Sequence, residues 1–258
     1  MKHTFELTEK VAVITGGNGG IGLAIAKGMA QHGAKVVVAA RDGKKIKRAT
    51  EQLKTFGAQA LGLEMDIQDE KSIARMIKKS VAKYGRIDIL VNNAGINVTR
   101  FANEFSANDW RQIIDTNLIG AYQVCKQVYP HMKSNGGGKI INISSVTAIF
   151  GSKRSIPYGA SKSGLIQLTR SLAVAWADDN IQTNAILPGW VETEMTTGLR
   201  ESEDSEVKQI YRSITDRIPA GRWANPDDIA GTAVFLASEA SNYITGVALA
   251  VDGGYSIA

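Results

Sequence analysis

Tyr158 and Lys162 are the side chains whose types and spacing most directly suggest chemistry. They close a stretch that runs from Ser145 through Pro157, and the proline marks a helix start. On a helix, positions i and i+4 share a face, so the Lys162 ammonium is expected beside the Tyr158 phenol. A free tyrosine, with a pKa of about 10, is neutral at pH 7, and a neighbouring cation favours the phenolate and lowers that value. Tyr158 could then exchange a proton with an alcohol or carbonyl oxygen near neutral pH. An isolated Tyr-x-x-x-Lys is also what ordinary helix-surface neighbours look like, so the assignment depends on its surroundings.

A second group of residues has the character of a phosphate cradle. Lys10 to Thr15 is a β-branched run without alternation, which suits a strand buried on both faces. Gly16, Gly17, Gly19, Gly20 and Gly22 follow, and Leu23 to His32 reads as a helix. Gly16 permits the tight turn, Gly20 lets the backbone approach a pyrophosphate, and Gly22 allows close packing of helix on strand. Thr15, Asn18, Gly19 and Ile21 complete the candidate dinucleotide loop, whose spacing is GxxxGxG rather than GxGxxG.

The next strand, Lys35 to Ala40, should end beside the adenosine ribose. A free 2′-hydroxyl would favour an acidic residue there, but Ala40 holds that place and Arg41 follows. A guanidinium can grip a 2′-phosphate bidentately, with Lys44 or Lys45 close enough to help. The expected cofactor is therefore NADP(H), with NAD(H) possible; Asp42 could itself reach the ribose.

The elements that must position these groups alternate along the chain. Helices are expected over 44–56 and 69–83, with Asp69 as N-cap, and strands over 58–65 and 87–91. Asp66 and Ile67 lie where the adenine is expected. Asn92, Asn93, Ala94 and Gly95 follow a strand end, where small residues let a flat cofactor approach and the amides can brace neighbouring strands. One long helix is expected within 106–131, with Asn117 in mid-course turned either to solvent or to a polar site. Strands at 139–143, 181–187 and 245–251 and a helix at 226–237 complete the pattern. The fold class is α/β, a single-domain doubly wound parallel sheet (Rossmann fold) of about seven strands with helices on both faces, spanning 1–258. Residues 190–222 are polar and without a clear buried face, and an insertion this long after a strand suits a substrate lid.

These motifs, taken together and in order, resemble the short-chain dehydrogenase/reductase family along essentially the whole chain. The resemblance rests on Thr15-Gly16-x-x-x-Gly20-x-Gly22, Asp66, Asn92 to Gly95, Asn117, Ser145, Tyr158-x-x-x-Lys162 and Pro188-Gly189-x-x-x-Thr193. It implies an NAD(P)(H)-dependent enzyme that interconverts a secondary alcohol and a ketone. Tyr158 would be general acid/base and Ser145 would hydrogen-bond the substrate oxygen, the family's usual Ser-to-Tyr separation selecting Ser145 over Ser144. Lys162 would tune the phenol and hold the nicotinamide ribose, Asn117 would anchor a proton-relaying water chain, and Val191 and Thr193 would bind the carboxamide. Within the family, the region from Asp216 to Asp252 is similar to gluconate and deoxygluconate dehydrogenases and to 3-oxoacyl-carrier-protein reductases. The substrate expected is thus a sugar acid or related hydroxy/keto compound, with an acyl thioester or general carbonyl substrate as the alternative. Arg154 and Trp190 are the expected substrate contacts, Arg154 as a carboxylate anchor. A homotetramer is implied by the family as well.

Composition narrows the remaining classes. Thirty basic residues are interleaved with 25 acidic ones for a formal charge of +5, without the concentrated basic surface that nucleic acid requires. Cys125 is the sole cysteine, and His3, His32 and His131 are scattered, so no disulfide and no metal cluster is expected. No leader or membrane-spanning run is evident, and the chain reads as a cytoplasmic protein. A dinucleotide sensor without catalysis is the rival from another class; loss of Ser145, Tyr158 or Lys162 would favour it, and all three are present.

Overall fold

The structure, a computed structural model, describes residues 4–258. Apolar runs without alternation form seven parallel strands: β1 (Val11–Thr15), β2 (Lys35–Ala40), β3 (Ala60–Glu64), β4 (Ile89–Asn92), β5 (Gly138–Ile143), β6 (Ile181–Pro188) and β7 (Ala248–Val251). Their order is β3-β2-β1-β4-β5-β6-β7. Successive side chains on a strand point to opposite faces, so β1 feeds two cores. Ala12 and Ile14 pack with Ile25 and Met29 of α1 (Gly20–Gln31), Leu53 of α2 (Gly43–Thr55) and Ala233 of α9 (Asp227–Ala237). Val11 and Val13 pack with Met76 of α3 (Glu70–Tyr84), Val128 of α5 (Gly120–Ser134) and Leu172 of α6 (Ile156–Ala175). The strand order reverses between β1 and β4, which opens a crevice at the carboxyl ends of those strands.

One expectation is refined and one corrected. The long helix expected within 106–131 is present as α4 (Ala107–Ile114) and α5, continuous through a π-helical turn, Asp115–Ile119, that contains Asn117. Gly120, next to that turn, packs closely: a Cβ there would come within 2.8 Å of Ile67. The segment 190–222 does have a buried face. It contains α7 (Thr197–Arg200) and α8 (Ser205–Asp216). Ile214 and Ile218 are buried, and Tyr211 stacks on Trp223 with ring centroids 4.9 Å apart. Trp223 and Tyr255, the aromatic partners of this face, lie outside the segment, so its own composition understated its packing.

Candidate active site

The glycine loop is pinned from the neighbouring strand. Asn93 Nδ2 donates to the carbonyls of Thr15 and Gly16, both at 3.1 Å, and Thr15 Oγ1 accepts from the backbone N–H of Asn93 and Ala94. Gly22 stands close against the same pin. A Cβ there would stand 2.4 Å from Asn93 Nδ2 and from the Gly16 carbonyl oxygen, so Gly22 lets the first turn of α1 pack closely on the ends of β1 and β4. Asn92 Nδ2 donates to Asn142 Oδ1 at 2.9 Å, bracing β4 against β5 as its position suggested.

The N-terminus of α1 suits an anion. Its N-cap is Gly19, no side chain caps it, no carboxylate lies in its first turn, and space around Gly19 is open to 4 Å. Free N–H groups at a helix start, in reach of Asn18 and Ile21, are what a pyrophosphate needs. Arg41 is exposed just past β2. Asp42 caps α2, its Oδ1 accepting from Lys44 and Lys45 N–H at 2.9 and 3.0 Å. Asp66 lies exposed beyond β3 and Ile67 is buried against the π turn. Pro188 ends β6, and Gly189 sits where a Cβ would meet Asp252 at 2.8 Å. Val191 is buried, and Thr193 lies against the glycine loop, its Cγ2 3.2 Å from where a Cβ on Gly20 would be.

At the reacting end, β5 delivers Ser144 and Ser145 and α6 delivers Tyr158 and Lys162. Ser144 Oγ donates to the Lys162 carbonyl at 2.8 Å and is thereby committed to backbone, whereas Ser145 Oγ accepts from Thr147 N–H and Oγ1 at 3.2 and 3.0 Å and lies close enough to Tyr158 to favour its phenolate. Lys162 is buried; its Nζ donates to the Ile143 carbonyl at 2.7 Å and lies 5.5 Å from the Tyr158 ring centroid. The expectation that Lys162 lowers the phenol's pKa fails in the chain by itself. Burial pushes Tyr158 up to about 12, with Ser145 pulling the other way, and burial also pulls Lys162 down to about 8. Desolvation is the leading cause at both groups.

Asn117 faces this site, not solvent. Its Oδ1 accepts from Ile96 N–H at 2.9 Å, while Nδ2 donates to the Ile96 carbonyl and to Ser161 Oγ, each at 3.0 Å. Ser161 in turn donates to the Tyr158 carbonyl at 2.7 Å. Sequence reasoning missed Ser161, although its i+3 spacing from Tyr158 was a usable signal. Arg154 stacks on Phe101, 4.7 Å from the ring centroid, and its carbonyl accepts from Arg100 N–H. Trp190 sits in an aromatic cluster with Trp223 and Tyr255, at 5.0 and 6.3 Å.

A hydroxyl, a phenol and a lysine beside a dinucleotide cradle can bind a carbonyl oxygen and move a proton to it. A family model described as enoyl-(acyl carrier protein) reductase matches residues 16–256. The chain belongs to the short-chain dehydrogenase/reductase family. It is 42% identical to the 2-dehydro-3-deoxy-D-gluconate 5-dehydrogenase of Dickeya dadantii over 98% of each chain. It is 37% identical to the 3-oxoacyl-(acyl-carrier-protein) reductase of Aquifex aeolicus over 96% of this chain and 98% of that one. The crystal structure of a gluconate 5-dehydrogenase from Burkholderia cenocepacia, in complex with NADP and tartrate, superposes with a TM-score of 0.92 at 36% identity, covering 99% and 98% of the two chains. This short-chain dehydrogenase/reductase is accordingly an oxidoreductase acting on CH–OH groups with NAD(P) as acceptor. Among its described residues no group of histidine, cysteine or carboxylate side chains is arranged to hold a metal, and no helix is long and apolar enough to cross a membrane.

Proposed function

We propose that this short-chain dehydrogenase/reductase interconverts a secondary alcohol and a ketone on a sugar acid or related hydroxy/keto acid, preferring NADP(H). The observation that carries the substrate class is Arg154. On the loop leading into α6, its guanidinium stacks on Phe101 and forms no ion pair with any carboxylate among the described residues. The ring contact occupies the guanidinium without using its N–H groups, which are available to a substrate carboxylate. The Burkholderia relative crystallised with tartrate, a hydroxy acid, and the Dickeya relative's name supports the same class. Arg41, with no acidic residue at position 40, and the NADP bound by the Burkholderia enzyme support the cofactor preference.

The glycine loop and the start of α1 hold the pyrophosphate, with Asp66 and Ile67 at the adenine, Asn93 to Gly95 along the nucleotide, and Pro188, Gly189, Val191 and Thr193 at the nicotinamide end. When bound, the nicotinamide gives or takes the hydride. Tyr158 donates its proton to the ketone oxygen in reduction and takes it back in oxidation. Ser145 hydrogen-bonds that oxygen as charge develops on it. Lys162 holds the nicotinamide ribose. Asn117 fixes the Ile96 backbone and Ser161 and anchors the relay that reprotonates Tyr158. Residues 190–222, with Trp190 at their root, close over the substrate as a lid.

Exposed Trp110, Ile119, Tyr122 and Val174 on the helices that carry Asn117 and Tyr158 support a homotetramer, whose subunits sedimentation velocity would count. The alternative substrate is a 3-oxoacyl thioester, as the Aquifex relative's name suggests. Arg154→Ala separates the two. It should lower kcat/KM for a carboxylated sugar-acid substrate by about ten- to a hundredfold, the worth of a charge-assisted hydrogen bond, and leave an uncharged ketone nearly unaffected. An equal effect on both substrates, or none, would remove the carboxylate-anchor reading.

A further inference from the structure

Lys45 and Glu194 lie far apart in the chain and meet across the nucleotide crevice. Lys45 stands on the first turn of α2, four residues after Arg41, at the corner where the NADP(H) reading puts the 2′-phosphate. Glu194 directly follows Thr193, which lies against the glycine loop at Gly20. The Lys45 ammonium donates to both carboxylate oxygens of Glu194, at 3.0 and 2.7 Å. The root of the Glu194 segment is fixed by hydrogen bonds, since Glu192 N–H donates to the Ala224 carbonyl and Thr193 N–H to the Thr196 hydroxyl Oγ1 at 3.1 Å. Glu194 itself is largely exposed, and Lys45 is its ion-pair partner among the described residues. No packing requires a carboxylate there.

We infer that Glu194 is a cofactor-specificity residue: it competes with the 2′-phosphate of NADP(H) for Lys45, and the same contact latches the proposed lid to the adenosine end of the crevice. One ammonium cannot serve both anions at full strength, because a carboxylate at contact distance repels an incoming phosphate as well as occupying its donor. NAD(H) has no phosphate to contest the ammonium and binds with the latch closed. NADP(H) recruits Lys45 and frees Glu194, so phosphate recognition and lid attachment are coupled, and the coupling is reciprocal. The inference rests on the NADP(H) reading above and adds to it a residue that weakens that preference.

Titration calorimetry of NADP⁺ and NAD⁺ with wild type, Glu194→Gln, Lys45→Met, the double variant and Arg41→Ala tests this. Glu194→Gln should tighten NADP⁺ by roughly two- to fivefold, the range of an exposed ion pair, and leave NAD⁺ unchanged. In the Lys45→Met background the same change should have no effect, as a double-mutant cycle requires of a direct pair. If Lys45→Met and Arg41→Ala weaken NADP⁺ but Glu194→Gln does not tighten it, the latch is overturned and the cofactor reading stands. If neither Lys45→Met nor Arg41→Ala weakens NADP⁺ relative to NAD⁺, both fall. A Glu194→Gln effect that is equal for the two cofactors, or that persists without Lys45, also overturns the competition.

Discussion

A phenol held at about 12 by burial is protonated throughout the neutral range, so Tyr158 is ready to give a proton to a ketone and slow to take one from an alcohol. The two directions should therefore respond differently to pH. Ketone reduction should be nearly flat between about pH 6 and 8, whereas alcohol oxidation should climb as the phenolate fraction grows. Tyr158→Phe should lower turnover in both directions by about a hundredfold or more while the dinucleotide affinity stays within about twofold. Turnover within about threefold of wild type, less than 1 kcal/mol of barrier, would dismiss Tyr158 as the proton donor. Steady-state rates in both directions and cofactor titration check these outcomes.

At the scale of elements, the start of α1 separates two uses of glycine. Gly22 is required by packing: its added Cβ would meet Asn93 Nδ2 and the Gly16 carbonyl oxygen, both at 2.4 Å, and neither can withdraw without breaking the pin between β1 and β4. Gly19 has an extended backbone, φ −177°, that any residue adopts, and no protein atom within 4 Å of an added Cβ. Gly22→Ala should therefore destabilise the fold by about 1–3 kcal/mol, the cost of overpacking, and lose dinucleotide binding with it. Gly19→Ala should unfold with wild-type stability and still bind the dinucleotide more weakly, since its methyl enters space the pyrophosphate needs. Thermal unfolding of each variant with and without cofactor distinguishes these effects, and a strongly destabilised Gly19→Ala would contradict the open cradle.

Across the whole molecule, the parallel sheet has a chemical end and a quiet one, and the quiet end carries a buried charge. Lys139, the second residue of β5, lies away from Tyr158, is 8% exposed, and donates to Asn242 Oδ1 at 2.9 Å and Ser241 Oγ at 3.4 Å, both neutral. Burial pulls its pKa from the ordinary 10.5 down to about 8. Between those two values the unfolded chain holds more protons than the folded one, so stability rises with pH; below about 8 both states are protonated and the burial penalty is fully present. Lys139→Met should accordingly be more stable than wild type at pH 7, and its advantage should shrink as pH rises from 8 to 10.5. Lys162, also drawn down to about 8, adds a similar rise to both proteins and cancels in the comparison. Chemical denaturation across this pH range is the measurement, and a constant difference would show that Lys139 titrates as an exposed lysine does.

Much of the molecule was legible in the one-dimensional order of residues, because the signals concerned are local. The β-branched runs became the parallel strands, Pro157 opened the Tyr158 helix and Asp69 capped its own helix, since burial period, proline geometry and capping each act within a few residues. The spacing of Tyr158 and Lys162 placed them on one face for the same reason. What the tertiary structure alone decided depends on groups distant in sequence. Desolvation comes from groups that the fold gathers around the phenol, so no spacing rule could show that Tyr158 would be pushed up. Gly120, next to the π turn at Asn117, packs against Ile67, and the buried face of α8 packs against Trp223 and Tyr255. Lys45 and Glu194 meet because the chain leaving β6 crosses the crevice toward α2, a proximity that only the folded sheet creates.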